Sequence, residues 1–391
     1  MISISRKEAR TENMYFINHV YFFITLLIII SNSLVSHDAL TIMSLLGKSA
    51  SGVHNATSVI SNAFIVPMMI FLFGLTVHSH IHNTSSIDFI KERLLTLAKY
   101  FLLSALIIMP LAYYLKTSNN GAKGDFIQFL SKDYFNTWMV GPSWIFSTIF
   151  FFDLIIFAFT SIAKGFSQKL FNCASSTKIV KLFAIFFIAL FAVAVTTNAP
   201  LGEFHVIPNK YKDWSNIGPI WWQHNVLVTY FLIYAFSVTL GSSEKFISYI
   251  FAPKGELPSK WLHRLLETII IYLAMRYITS IKSSIANDLL YHSLLSFLSV
   301  LLIFVASAAF IGILDKFTKR KSLALAFFSE HSLIIYTVHF LPLVFIKNYL
   351  NKFPGVGDFQ KSYIIVVCTF FVSLVLSLGI KKICCFKNRC Q

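Results

Sequence analysis

The chain has 391 residues, of which 56% are hydrophobic and only 13% charged, and its mean hydropathy is +0.69 with a formal net charge of +16. A water-soluble domain needs far more polar surface than this, so soluble enzymes and soluble binding modules are excluded and the surplus apolar surface is assigned to lipid. Nucleic-acid binding is excluded as well, because the basic residues lie between long apolar stretches and form no basic domain.

Taken in chain order, the start "SRKEAR" leads into the apolar run 15–36 with no small-residue cleavage site, so the first helix is expected to be retained. Nine further stretches have the length and apolarity of membrane-spanning helices: 59–80, 95–115, 143–163, 179–198, 218–241, 262–281, 292–314, 323–350 and 361–380. The third carries Lys99 and Pro110, and the seventh carries Glu267 and Arg276. The fourth opens on Gly141-Pro142 followed by Trp144, and the sixth on Gly218-Pro219 followed by Trp221-Trp222; both combine a turn with aromatic anchors at membrane-interface depth.

Basic residues fall twenty-one on one side of this arrangement and nine on the other, alternating loop by loop. The positive-inside rule then places both termini in the cytoplasm. The expected fold is all-α: a polytopic membrane protein of about ten transmembrane helices, with one domain over 14–380 and short basic cytoplasmic tails at 1–13 and 381–391. Four of the five cysteines, Cys173, Cys384, Cys385 and Cys390, fall on the cytoplasmic side, where thiols stay reduced, so no disulfide framework is expected.

Ionisable groups inside a bilayer are costly and line cavities or pair with one another. The candidates are His19, Asp153, Glu267, Arg276, Glu330, His331 and His339, with Gln223 and His224 nearer an interface. In "SEHSLIIYTVHF", His331 and His339 recur at i and i+8 and share roughly one helical face, which suits either a polar cavity or helix–helix hydrogen bonding. His78, His80 and His82 end the second span, and only the first and last of them would share a helical face; a solvated helix end is the default, and no metal site is expected. No GxSxG, P-loop, dinucleotide or HExxH pattern occurs.

Five blocks in order resemble the acyltransferase 3 family of bacterial membrane acyltransferases, most closely its glucans biosynthesis protein C-like branch. "MMIFLFGLTV" is similar to the family's second-span block, with Gly74 kept and Phe73 where a serine is usual. "FIKERLLTLAKYFLLSALIIMPL" resembles the arginine-rich block that follows: Arg93 matches its first arginine, while Thr96 and Tyr100 replace the second arginine and a proline. "GPSWIF" with Trp144, the segment around Gln223 and Gly241, and "SLIIYTVHFLPLVF" with Tyr336 and His339 complete the series.

The resemblance implies a donor, acyl-CoA, on the cytoplasmic side, an envelope glycan acceptor outside, an inner-membrane location and a place in an envelope biosynthesis complex, with no permanently bound cofactor. It also implies substrate-binding roles for Arg93, Trp144, Gln223 and Tyr336. The family's first span carries Asp, Arg and His for acyl transfer; here those positions hold Asn18, Tyr21 and Asn32. Asparagine cannot accept a proton at neutral pH, so acyl transfer by this chain needs a relocated base, with His339 or His331 as the candidates. The alternative is a catalytically degenerate relative that binds or exports a glycan or lipid-linked intermediate, or serves as a partner subunit.

Overall fold

The computed structural model describes residues 6–34, 64–77, 86–119, 141–162, 179–196, 214–217, 220–241, 261–281, 285, 287–317, 322–350, 352–353, 355 and 357–389. His78, His80, His82, Cys173, Cys390, Gly218 and Pro219 lie outside them.

In chain order the helices are α1 (Arg6–Leu34), α2 (Phe64–Val77), α3 (Ser86–Leu103), α4 (Met109–Asn119), α5 (Trp144–Ile162), α6 (Ile179–Thr196) and α7 (His224–Gly241). They continue as α8 (Trp261–Ser280), α9 (Asp288–Phe317), α10 (Leu323–Val338), α11 (Phe340–Leu350) and α12 (Asp358–Arg389). A helix therefore stands in each of the ten stretches selected by hydropathy. Helical structure also runs into both basic tails, since α1 begins at Arg6 and α12 ends at Arg389. Among the described residues, four helical segments can cross a membrane by length and composition, or five when α10 and α11 are counted as one bent span. The chain is a multi-pass, helical membrane protein.

The all-α class holds, with a local exception among the described residues at the start of the sixth stretch. Trp214–Ile217 (β1) and Ile220–Gln223 (β2) form an antiparallel hairpin, with Trp214 opposite Gln223 and Ile217 opposite Ile220. Aromatic and β-branched residues flank Gly218-Pro219 there, a composition that favours paired strands around a tight turn. The sixth helix thus begins at His224 rather than at 218.

Two prolines explain the irregular helices. Pro110 has no N–H to offer the carbonyl four residues back, and the chain answers with a π-turn over Ser104–Ile108 in which Met109 N–H bonds the Ser104 carbonyl. Pro342 cannot serve the Val338 carbonyl, and α10 and α11 meet at an angle of 63° with His339 at the break. A carbonyl left without its helical donor at membrane depth is tolerated where protein surrounds it, and His339 at this break is fully buried.

The main core joins α1, α2, α5, α7, α9 and α10 through residues such as Ile24, Leu72, Phe146, Tyr234 and Tyr336. A second cluster, built on Met109, Ala112, Phe340, Leu343 and Ile365, packs α4, α11 and α12 together. Met275, Tyr291, Leu295 and Leu302 tie α8 to α9, while Leu266, Ile270 and Leu273 of α8 face outward as lipid-facing residues do.

Glycine is required at two close approaches. A Cβ on Gly74 would lie 1.8 Å from Ser237 Oγ and 2.8 Å from the Tyr234 carbonyl, so α2 and α7 touch backbone to backbone. Gly141 has φ +42° and sits against the Met109 side chain, whose sulfur would be 2.2 Å from an added Cβ. These are the physical grounds for the glycines in "FLFGLTV" and "GPSWIF".

Candidate functional site

The broken span and the end of the first helix build one polar junction. Residue 339 follows the last turn of α10, and its backbone is still helical: its N–H bonds the Ile335 carbonyl at 2.9 Å, and its own carbonyl receives Leu343 N–H at 3.1 Å. The imidazole Nδ1 lies 2.5 Å from the Tyr336 carbonyl. A carbonyl only accepts, so Nδ1 carries the proton and Nε2 is left with a lone pair. The side-chain amide of Asn32 donates to that Nε2 across 3.1 Å.

Asn32 is held at a second atom. Its backbone carbonyl is one of the last four of α1, which have no partner within the helix, and it accepts from Lys347 Nζ at 2.7 Å. Lys347 lies in the last turn of α11 and is only 1% exposed. Thr25 Oγ1 reaches the Ser332 carbonyl at 3.4 Å, and Asn348 Nδ2 donates to the Leu115 carbonyl at 3.1 Å; these contacts join α1 to α10 and α11 to α4 around the break.

A second buried polar group stands apart. Arg93 Nε pairs with Asp153 Oδ2 at 2.8 Å, and the Tyr234 hydroxyl donates to Asp153 Oδ1. All three residues are buried, and Arg93 Nη2 has no hydrogen-bond partner among the described residues. The Tyr21 hydroxyl is within electrostatic reach of the guanidinium. Asp153 and Arg93 are therefore partners on α5 and α3, a pairing that neither motif alone reveals.

Three departures from the family pattern converge. Tyr21 meets Phe73 edge-on at 5.3 Å between ring centroids, Phe73 meets Phe146 at 6.5 Å, and Tyr100 stacks on Phe146 at 5.4 Å. Tyr336 closes the group against Phe146 at 5.7 Å, and its ring is 5.8 Å from that of His339. The positions at which the resemblance places serine and proline thus carry rings packed on Phe146, and the arginine position carries a ring packed on the first of them.

The remaining candidates separate. His331 does not share the site of His339: its Nδ1 is 3.1 Å from Ser377 Oγ on α12, its ring packs on Phe327, and the neighbouring Glu330 pairs with Lys381 at 2.6 Å. One helical turn after another rotates the two histidines toward different neighbours, α12 for one and α1 for the other. Asn18 is exposed in the middle of α1, well away from Asn32, and His19 beside it is buried. Trp144 stacks on Tyr230 at 6.1 Å. Gln223 has its backbone in β2, and its side chain lies outside the described residues. Glu267 pairs with Arg264 and His263 on its own helix, and Arg276 is exposed.

Sequence reading missed Lys347. It stands near the end of a long apolar stretch, where a lysine ordinarily extends its ammonium to the membrane surface; the signal that distinguishes it is the proline five residues earlier, which breaks the span and turns α11 inward. Among the described residues, no three His, Cys, Asp or Glu side chains converge as metal ligands.

Fold and junction together define a multi-pass helical membrane protein with a buried histidine at a broken span. The chain belongs to the acyltransferase 3 family: the family model described as an acyltransferase domain matches residues 14–382. No curated protein and no solved structure matches the chain.

Proposed function

We propose that this protein is a membrane O-acyltransferase that moves an acyl group of acetyl or succinyl type from cytoplasmic acyl-CoA to a carbohydrate of the bacterial cell envelope. It crosses the inner membrane ten times with both termini in the cytoplasm. The observation that carries the reading is the Asn32–His339 pair. The side chain at the position of the family's histidine is in hydrogen-bond contact with an imidazole supplied by another helix. The proton on Nδ1 is committed to the Tyr336 carbonyl, which leaves Nε2 as the basic atom.

In this mechanism the acceptor hydroxyl replaces the Asn32 amide at Nε2. The imidazole takes the hydroxyl proton as oxygen attacks the thioester carbonyl, the carbon–sulfur bond breaks, and the thiol of CoA leaves with a proton. Asn32, displaced from Nε2, keeps an amide N–H to offer the developing oxyanion. General-base catalysis of this kind contributes about 10² to 10⁴ in rate. The distribution of basic residues and the helices found in all ten apolar stretches support the topology.

A second reading has its own observation. The aromatic packing of Tyr21, Phe73 and Tyr100 fills positions that are polar or helix-shaping in the family. That favours a catalytically degenerate member that holds a glycan or lipid-linked intermediate, or acts as a partner subunit in an envelope complex. Release of CoA thiol from acetyl-CoA and succinyl-CoA by the purified full-length protein separates the two. The acyltransferase reading expects turnover that falls at least about 10²-fold in His339→Ala. Turnover unaffected by that substitution removes His339 as the base, and absence of turnover in the wild-type protein favours the second reading.

A further inference from the structure

Lys347 takes no part in the proton transfer just described, yet it is tied to the residue that touches the base. Asn32 is gripped at two atoms, its carbonyl by Lys347 Nζ at 2.7 Å and its side-chain amide against His339 Nε2 at 3.1 Å. The lysine and the histidine sit eight residues apart on the two sides of Pro342, and α1 enters from more than three hundred residues away to meet both.

We propose that Lys347 is a positioning residue for acyl transfer: through the Asn32 carbonyl it holds the end of α1 so that residue 32 stays in register with His339 Nε2. The inference rests on the acyltransferase reading. Its physical basis is that a helix end is the least constrained part of a helix, because the final carbonyls have no internal partner. A hydrogen bond from the fully buried Lys347 amine to the Asn32 carbonyl restrains that last turn. A misplacement near 1 Å at a reacting centre costs on the order of 10² in rate. The structural alternative is that the lysine only caps α1, in which case it supports folding and leaves the rate of the folded protein alone.

The test uses full-length protein in detergent, with acetyl-CoA and succinyl-CoA as the probes and thiol release as the signal. Lys347→Met should lower kcat by about 10²-fold with KM for the acyl-CoA unchanged, and Lys347→Arg should restore most of the loss. In a His339→Ala background, Lys347→Met should add little, because the two residues act as a unit. Should Lys347→Met not yield monodisperse protein, Lys347→Gln, which keeps an N–H donor on a side chain too short to match the reach of Nζ to the Asn32 carbonyl, takes its place and should lower kcat in the same sense. A lower thermal midpoint with unchanged kcat overturns the inference in favour of a cap, as does a loss that is additive with His339→Ala. Absence of turnover in the wild-type protein overturns the acyltransferase reading and this inference together, whereas His339-dependent turnover that survives Lys347→Met, or Lys347→Gln in its place, overturns this inference alone.

Discussion

Replacing Asp153 by asparagine removes one charge from the buried Arg93–Asp153–Tyr234 group and leaves its shape almost unchanged. At the 2.8 Å separation of Nε and Oδ2, and with an effective dielectric constant of about 20, the direct attraction is roughly 6 kcal/mol. Desolvation of both ions offsets most of that, and stripping one partner from a buried pair costs about 3–5 kcal/mol because the other charge stays behind. Here the lower end applies, about 3 kcal/mol, since Arg93 Nη2 already has no partner among the described residues and the asparagine oxygen can still accept from Nε.

The assay is thermal or denaturant unfolding of the detergent-solubilised protein, followed by tryptophan fluorescence, for Asp153→Asn, Arg93→Met and the double variant. The double variant should be more stable than Asp153→Asn by about 1 kcal/mol or more, because it removes the stranded guanidinium. An Asp153→Asn protein within about 0.5 kcal/mol of wild type, or strictly additive single effects, refutes the reasoning.

Gly74→Ala should lower stability by about 1–3 kcal/mol, because the clash with the Tyr234 carbonyl at 2.8 Å forces α2 away from α7; the thermal midpoint in detergent checks this. Ser237→Ala should not rescue that variant, since the backbone clash remains. Phe146→Ala should cost about 3–5 kcal/mol and leave a cavity beneath Phe73, Tyr100 and Tyr336, measurable by the same unfolding assay and by loss of expression as monodisperse protein.

Much of the architecture is legible along the chain because it depends on local composition. Stretches such as 144–162 and 290–316 are apolar over the thickness of a bilayer, and hydrogen-bonding demands there leave the helix as the one open-chain solution. The hairpin at 214–223 was hidden by the same logic: "IGPIWWQ" is apolar enough to be taken into the following helix, and its strand pairing depends on a partner segment. His339 and Tyr336 stood out through their motif, as did Arg93. The pairing of His331 with Ser377, and therefore its separation from His339, did not, because an eight-residue spacing leaves an angular offset that the neighbouring helices resolve.

The amino-acid order alone settles the medium in which this protein lives, the helical form of its spans and its family, because hydropathy, helix propensity and motif succession are properties of contiguous residues. Which side chains meet is another matter. Asn32 finds His339 and Lys347 only after α1 has packed into the angle between α10 and α11, and Arg93 finds Asp153 only when α3 lies along α5. Those encounters are set by the azimuth and crossing of helices far apart in the chain, and by the 63° bend between α10 and α11 beside Pro342.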